Sequence, residues 1–263
     1  MSVIRTDKWL WDTYDQPSEL CEKLKQYFNE DVSSVDIHQH LVMHGMYRQP
    51  LKNGDRLIKA LQKRDIWHIV QREERKLREK WDGPAIPIFI FPADTHNHRL
   101  RQEQNGKSGL SFGDKVFLFI SEHNTENEIR ALFTHEYNHV CRLAKYNKKE
   151  TDYVLLDTVI LEGLAENAVR ERFGSRYTAD WTSYYPDSRL KRICLNLIMP
   201  NRQVPKSGRK HLQILYGLGL YPKMAGYCAG YYLVKKYMRD NNLTSQDLLD
   251  IEPEEIIEKT DEI

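Results

Sequence analysis

Two histidines and a glutamate at helical spacing are the residues of this sequence best suited to chemistry. His135 and His139 lie four positions apart in HEYNH, and Glu136 directly follows the first histidine. In an α-helix, residues i and i+4 lie on one face, so both imidazole rings can reach a common point. Zinc accepts imidazole nitrogens as ligands in a tetrahedral arrangement. The pattern therefore predicts that His135 and His139 bind a zinc ion.

Glu136 would lie beside this zinc ion. A carboxylate there can hold a metal-bound water, take its proton as the water attacks a carbonyl carbon, and pass that proton to the leaving amine. The metal lowers the pKa of its water from about 15.7 towards roughly 7 and polarises the carbonyl. These residue types favour hydrolysis of peptide bonds, with Glu136 as the general base and Zn²⁺ as the cofactor.

A third ligand is needed, because catalytic zinc sites have three protein ligands and an open fourth position. Glu162 in VILEGLAEN follows His139 by 23 residues. That length allows one helix to end and a second, antiparallel helix to bring Glu162 opposite the histidines. A carboxylate within such an apolar run is costly to bury unless it binds a cation or has another partner. We therefore expect Glu162 to be the third zinc ligand.

Glu166 lies one helical turn after Glu162 and on the same face. It is expected to orient a ligand histidine through the second ring nitrogen, or to bind a substrate amine. The alternative is a polar helix face without metal, in which Glu162 pairs with Arg142 or Arg170. Two further histidine groups, at 38–44 and 96–98, have no evident carboxylate ligand nearby and are interpreted as surface or capping residues.

Helices and a few strands must position these side chains. Residues 1–84 have the apolar spacing and charge of amphipathic helices. AIPIFIFPAD and GDKVFLFISEH are short, β-rich segments and predict strands before the histidine helix. Thr125 and Glu128 form a capping-box pattern at the start of that helix. The fold class is therefore expected to be α+β and mainly α.

Two more helices are expected after the histidine helix. One begins at Thr151 or Asp152 and stops at Gly174, and the other covers YPKMAGYCAGYYLVKKYMRDNN. We interpret the chain as a single domain of residues 1–263, with a helical N-terminal cover at 1–84 and a catalytic core at 85–255.

Composition restricts location and partners. The chain has 39 Lys and Arg against 38 Asp and Glu, so no general field attracts it to nucleic acid or to acidic lipid. No segment is apolar for long enough to be a signal peptide or a membrane span. The four scattered cysteines form no CxxC pair, which argues against a disulfide framework or a thiolate zinc site. We expect a cytoplasmic protein without nucleic-acid or membrane partners; the sequence does not indicate the oligomeric state.

The motifs HEYNH and LEGLAE, with DKVFLFIS before them and AGYCAGYYLVKKYM after them, resemble the YjaZ-like family of predicted zinc-dependent proteases. The resemblance covers roughly residues 85–255. It implies a zincin-like metallopeptidase fold of the gluzincin type, with a small sheet before the active-site helix. It also implies zinc ligation by His135, His139 and Glu162, with Glu136 as the base and a peptide or protein as the substrate.

Two further expectations come from this resemblance. In a thermolysin-like layout an edge strand before the histidine helix binds an extended peptide by strand addition, and KVFLFIS is the expected strand. A tyrosine from a later element often stabilises the oxyanion, and Tyr227 or Tyr231 is the candidate here. Alternatively, these two tyrosines serve only in helix packing.

The sequence therefore predicts a zinc-dependent metallopeptidase. The main alternative is a zinc-stabilised binding or regulatory protein on the same fold, with little or no turnover. A second alternative is a zinc hydrolase that acts on non-peptide amides.

Overall fold

A computed structural model describes residues 2–28, 31–103 and 105–258. Helices make up most of it, as the sequence predicts. The helices are α1 Thr6–Thr13, α2 Pro17–Glu22, α3 Ser34–Met43, α4 Gly54–Lys63, α5 Ile66–Trp81, α6 His98–Glu103, α7 Glu126–Lys145, α8 Leu155–Phe173, α9 Asp187–Ile193, α10 Met199–Asn201, α11 Arg209–Tyr216, α12 Ala225–Asn241 and α13 Pro253–Glu258.

Three short strands form one sheet before α7. They are β1 (Ile88–Pro92), β2 (Ser108–Ser111) and β3 (Val116–Ile120), in the order β1-β3-β2. β1 pairs with β3 in parallel, and β2 pairs with β3 antiparallel. The expectation of a mainly α protein of the α+β class, with a small sheet before the histidine helix, is confirmed.

The prediction that KVFLFIS forms an edge strand is wrong. β3 contains the apolar residues of KVFLFIS and lies in the centre of the sheet, between β1 and β2. All five of its residues are buried, and a continuous apolar run is typical of a strand covered on both faces. β2 is the edge strand on that side of the sheet. Its sequence, SGLS, has no apolar pattern that would have identified it.

The chain divides into two compact units, Met1–Tyr137 and Asn138–Ile263. In the first unit, hydrogen bonds join helices to the sheet. The Thr6 hydroxyl at the start of α1 donates to the Ile90 carbonyl oxygen of β1 at 2.5 Å. The Trp67 indole of α5 donates to the same Thr6 hydroxyl at 2.9 Å. The Thr6 hydroxyl therefore links α1 and α5 to β1.

In the second unit, α8 and α12 form the centre of the core. α8 is buried on nearly all sides, as expected for a helix that is apolar all round. Gly163 of α8 lies against the backbone of Gly230 of α12, and Gly230 in turn lies against the carbonyl of Val159. A side chain at either glycine would overlap backbone atoms. The small residues therefore allow the two helices to touch.

The starts of α7 and α8 show how local sequence sets helix boundaries. The predicted capping box of α7 is confirmed, because Thr125 N–H donates to Glu128 Oε2 at 2.7 Å and Glu128 N–H donates to Thr125 Oγ1 at 3.3 Å. α8 begins at Leu155, so the expected start at 151 or 152 is wrong. Asp157 sets this boundary by accepting the Val154 N–H at 2.7 Å.

The remaining expectations from composition concern cysteines and membrane spans. None of the four cysteines forms a disulfide, and all four are buried. Burial raises the pKa of the Cys21, Cys194 and Cys228 thiols to about 12. Within the ranges that the structure describes, no helix combines the length and the apolar character needed to cross a bilayer.

Candidate metal centre

Three predicted ligands come together. His135 and His139 lie one turn apart on α7, and Glu162 lies on α8. One ligand atom from each residue falls within 4.8 Å of the other two. His139 Nε2 and Glu162 Oε2 are 3.6 Å apart. Among the described residues no other group of three His, Cys, Asp or Glu side chains has this geometry, so the histidines at 38–44 and 96–98 form no second centre.

The donor set fits a zinc ion. Two imidazole nitrogens and one carboxylate oxygen are a common ligand set of catalytic zinc, and tetrahedral bonds of about 2.0–2.2 Å place ligand atoms about 3.4 Å apart. The 3.6 Å between His139 and Glu162 is close to that value. His139 is buried, whereas His135 and Glu162 are partly exposed. The group is therefore compatible with three protein ligands and a fourth position open to solvent.

A buried asparagine joins the part of α8 next to Glu162 to α12. Asn167 is fully buried, and its amide nitrogen donates to the Gly163 carbonyl at 2.8 Å and to the Tyr231 carbonyl at 3.0 Å. This side chain fastens the turn that follows Glu162 to α12. Sequence reasoning missed Asn167, because an asparagine within an apolar helix does not by itself indicate a bridging role.

The arginines that could have paired with Glu162 have other contacts. Arg142 is buried, donates to the Leu248 carbonyl at 3.1 Å, and has its guanidinium 4.0 Å from the Tyr146 ring centroid. Arg170 Nε donates to Asn167 Oδ1 at 3.0 Å. These contacts weaken the interpretation of Glu162 as half of a structural ion pair.

Glu136 lies against the edge strand. It is 7 % exposed, and a Cβ atom added at Gly109 of β2 would overlap the Glu136 carboxylate. Gly109 therefore allows the strand to approach the candidate base, and sequence reasoning missed this residue. The only signal was a glycine within a strand, which often marks a close approach of the backbone.

The register of β2 shows which backbone groups point outward. Phe112 N–H donates to the Lys115 carbonyl at 2.8 Å. Hydrogen-bonded and non-hydrogen-bonded pairs alternate along an antiparallel ladder. Pairing of Gly109 with Leu118 and of Ser111 with Val116 therefore falls on non-hydrogen-bonded positions. The N–H and C=O groups of Gly109 and Ser111 point away from β3.

Glu166 is buried one turn beyond Glu162. Its Oε1 atom accepts the Ala179 N–H at 2.5 Å. Burial raises the pKa of the Tyr231 hydroxyl, and the nearby Glu166 charge contributes in the same direction. Tyr231 is therefore protonated at neutral pH and able to donate a hydrogen bond.

Tyr227 lies in an aromatic cluster one turn before Tyr231. Its ring centroid is 5.3 Å from that of Trp181 and 5.5 Å from that of Tyr216. Its hydroxyl donates to the Tyr216 hydroxyl at 3.4 Å. Tyr227 is partly exposed and Tyr231 is buried. Of the two candidates, Tyr227 has the more accessible hydroxyl.

Comparison with known proteins identifies the family of the chain. A family model described as "Predicted Zn-dependent protease (DUF2268)" matches residues 66–258. The chain belongs to this family. It is also 42 % identical to the uncharacterized protein YjaZ of Bacillus subtilis (strain 168), over 98 % of this chain and 99 % of YjaZ. The resemblance to a YjaZ-like family of predicted zinc-dependent proteases is thus confirmed.

A second relative is more distant. The uncharacterized protein YjfC of Bacillus subtilis (strain 168) is 22 % identical over 76 % of this chain and 72 % of YjfC. No solved structure matches the chain at a significant level. Membership of the family therefore rests on the family model and on YjaZ.

Proposed function

We propose that the protein is a zinc-dependent metallopeptidase of the gluzincin type. The observation that carries the proposal is the meeting of donor atoms from His135, His139 and Glu162 within 4.8 Å, with Glu136 beside the first histidine. A purely structural zinc does not need Glu136 and usually has a fourth protein ligand. The family's description as a predicted zinc-dependent protease supports the same chemistry.

Each candidate residue would have a separate role in the reaction. His135, His139 and Glu162 would hold the zinc ion, which when bound supplies a Lewis acid and lowers the pKa of water. Glu136 would take the proton of the attacking water and deliver it to the leaving amine nitrogen. Because Glu136 is largely buried against β2, its carboxylate is held in one place while it transfers that proton.

The substrate would bind along β2. The outward N–H and C=O groups of Gly109 and Ser111 are suited to pair with an extended peptide, as in strand addition. This strand replaces KVFLFIS as the proposed peptide-binding edge. Gly109 would then place the scissile peptide bond next to Glu136. The proposed catalytic part is residues 85–255 of one zincin-like domain, preceded by the helical segment 1–84.

Hydrogen-bond donors for the oxyanion would come from α12. Tyr227 is the first candidate because its hydroxyl is accessible, and Tyr231 is the second because its hydroxyl remains protonated. Glu166, through its contact with Ala179, would fix the backbone after α8 or accept a substrate amine.

A peptide-library experiment tests the proposal. The zinc-loaded protein and its Glu136→Gln variant are incubated with a mixed peptide library, and the products are identified by mass spectrometry. Cleavage by the parent protein that disappears in the variant would establish a peptidase and give its sequence preference. Zinc bound at one equivalent without cleavage of any peptide would contradict the proposal and favour a zinc-stabilised binding protein.

A further inference from the structure

The balanced total charge conceals a strongly basic segment in the second unit. Between residues 187 and 223 the chain has eight basic residues and one acidic residue, Asp187, a surplus of seven positive charges, although the whole chain carries +1. The rest of the chain is therefore net negative. The eight basic residues are Arg189, Lys191, Arg192, Arg202, Lys206, Arg209, Lys210 and Lys223.

Most of these positive charges are available to a partner. Lys206 pairs with Glu150. Five others are exposed and, within the described part of the chain, have no carboxylate within 4.0 Å: Arg189, Lys191, Arg192, Arg209 and Lys210. A surplus of exposed cations that the protein itself leaves without counter-charges indicates an anionic partner.

Apolar side chains project from the same segment. Leu220 is fully exposed, and Leu218 and Leu212 are 51 % and 49 % exposed. Arg209, Leu212 and Tyr216 share one face of α11, because their spacing is i, i+3 and i+7. That face leads directly into the loop with Leu218 and Leu220. Large leucines clustered on an exposed loop and helix mark an interaction site.

A cavity joins this loop to the basic side chains of α9. It has a volume of about 320 Å³, and its lining includes Arg189 and Arg192 of α9 together with Tyr221 and Pro222, which follow Leu220. The Arg189 guanidinium also lies 4.6 Å from the Tyr185 ring centroid. The cavity thus brings cations and tyrosines together directly after the loop that carries Leu218 and Leu220. Residues 185–197 and 209–223 are here called the α9–α11 surface.

We propose that the α9–α11 surface docks onto an anionic lipid bilayer. Leu218 and Leu220 would enter the boundary between headgroups and acyl chains, and the basic side chains would contact lipid phosphates. Tyrosines at the rim, such as Tyr185 and Tyr221, suit the headgroup level. Nucleic acid would satisfy the cations but would leave the exposed leucines in water, so the combination favours lipid. The proposal goes beyond the proposed peptidase activity and does not depend on it.

Vesicle flotation tests this docking. Full-length protein is mixed with vesicles of phosphatidylcholine alone, or with roughly 30 % phosphatidylglycerol added. We expect binding to the anionic vesicles only, weakened by added salt. The double variants Leu218→Ser/Leu220→Ser and Arg189→Gln/Arg192→Gln should each bind at least about tenfold more weakly. A fluorophore on Leu220→Cys should shift to shorter wavelength on binding; it can be attached selectively because the native cysteines are buried.

Matched substitutions in the first unit serve as controls. Met43→Ser removes an apolar side chain that is 76 % exposed, and Arg56→Gln/Lys63→Gln removes two exposed cations. These variants, and Glu136→Gln, should bind vesicles as the parent protein does. Equal binding to neutral vesicles, unchanged binding after loss of both leucines, or no binding at low salt would each overturn the proposal. Binding of single-stranded RNA without vesicle binding would assign the surface to nucleic acid instead.

Discussion

Gly109 of β2 and Glu136 of α7 are so close that no side chain fits between them. Substitution Gly109→Ala should therefore displace the Glu136 carboxylate or push the strand away. Because small displacements of a catalytic group cost up to about 100-fold in rate, we expect kcat/KM for a peptide substrate to fall by about 10-fold to 100-fold. Zinc content should remain at one equivalent.

Gly113→Ala is the matched control for this substitution. Gly113 lies in the β2–β3 connection, and an added Cβ there meets no atom within 4 Å. This variant should keep parental activity. Equal loss of activity in both variants would attribute the effect to the hairpin as a whole rather than to contact with Glu136.

Removal of the Glu162 carboxylate should release zinc. Loss of even an outer partner of a ligand costs about 10-fold to 100-fold in metal affinity, so Glu162→Ala should lose more than about 100-fold. Glu166→Gln should retain zinc, because its carboxylate contacts the Ala179 backbone. The zinc content of each purified variant and its zinc affinity, determined by titration, test both expectations. Zinc retained by the Glu162 variant and lost from the Glu166 variant would transfer the third-ligand role to Glu166.

Substitution Glu136→Gln should separate metal binding from turnover. The amide is nearly the same size as the carboxylate but cannot accept a proton from water. General-base catalysis contributes about 100-fold to 10,000-fold, and we expect kcat to fall by that amount with zinc still bound. Zinc content and kcat, measured on the same preparation, provide the check. Full activity in this variant would exclude Glu136 as the base.

The two tyrosines of α12 can be distinguished by single removal of their hydroxyls. Tyr227→Phe should lower kcat by about 100-fold, as loss of one oxyanion donor commonly does, with little change in KM. Tyr231→Phe should change kcat less, because that hydroxyl is buried beside Glu166. Steady-state kinetics of both variants decide the assignment, and the reverse order of effects would favour Tyr231.

Stability should fall in mild acid because of His211. This ring is buried on α11, and its Nε2 atom is 3.0 Å from the Thr158 hydroxyl. Burial, with a smaller contribution from Lys206, holds the pKa of His211 below its usual 6.5. As the pH falls below about 6.5, the His211 ring of the unfolded chain becomes protonated while the buried ring of the folded protein stays neutral. The stability that neutral His211 contributes is therefore fully present above that pH and is lost as the pH falls towards the folded-state pKa.

Urea unfolding at about pH 7.5 and about pH 5.5 measures this effect. His211→Gln should reduce the difference between the two free energies of unfolding. His38 and His44 also have lowered pKa values, mainly through burial, so part of the difference should persist. An unchanged difference in the His211 variant would show that this ring does not titrate on unfolding.

The sequence predicted those features that depend on local pattern. Helical spacing predicted that His135 and His139 lie on one face of a helix. The capping box at Thr125 predicted the start of α7, and its hydrogen bonds are present. The cost of burying a carboxylate in an apolar run predicted that Glu162 lies beside the two histidines, and the structure places it 3.6 Å from His139. The helix arguments need only one helical turn, and the Glu162 argument needs only two consecutive helices.

The features that the sequence did not predict depend on tertiary contacts. β3 was expected at the edge, but β1 pairs with one side of it and β2, whose sequence SGLS has no strand pattern of its own, pairs with the other. The role of Gly109 depends on β2 lying beside α7. Asn167 acquires its second carbonyl partner, that of Tyr231, only when α8 and α12 pack together.

The candidate metal ligands all come from two consecutive helices, between residues 135 and 162. Contacts between segments that are near in sequence form early in folding, because little loop entropy is lost when they meet. All three candidate ligands also precede α12 in the chain. A nascent chain that has emerged only as far as α8 already contains all three candidate ligands, so the proposed metal site needs no ligand from a later part of the chain.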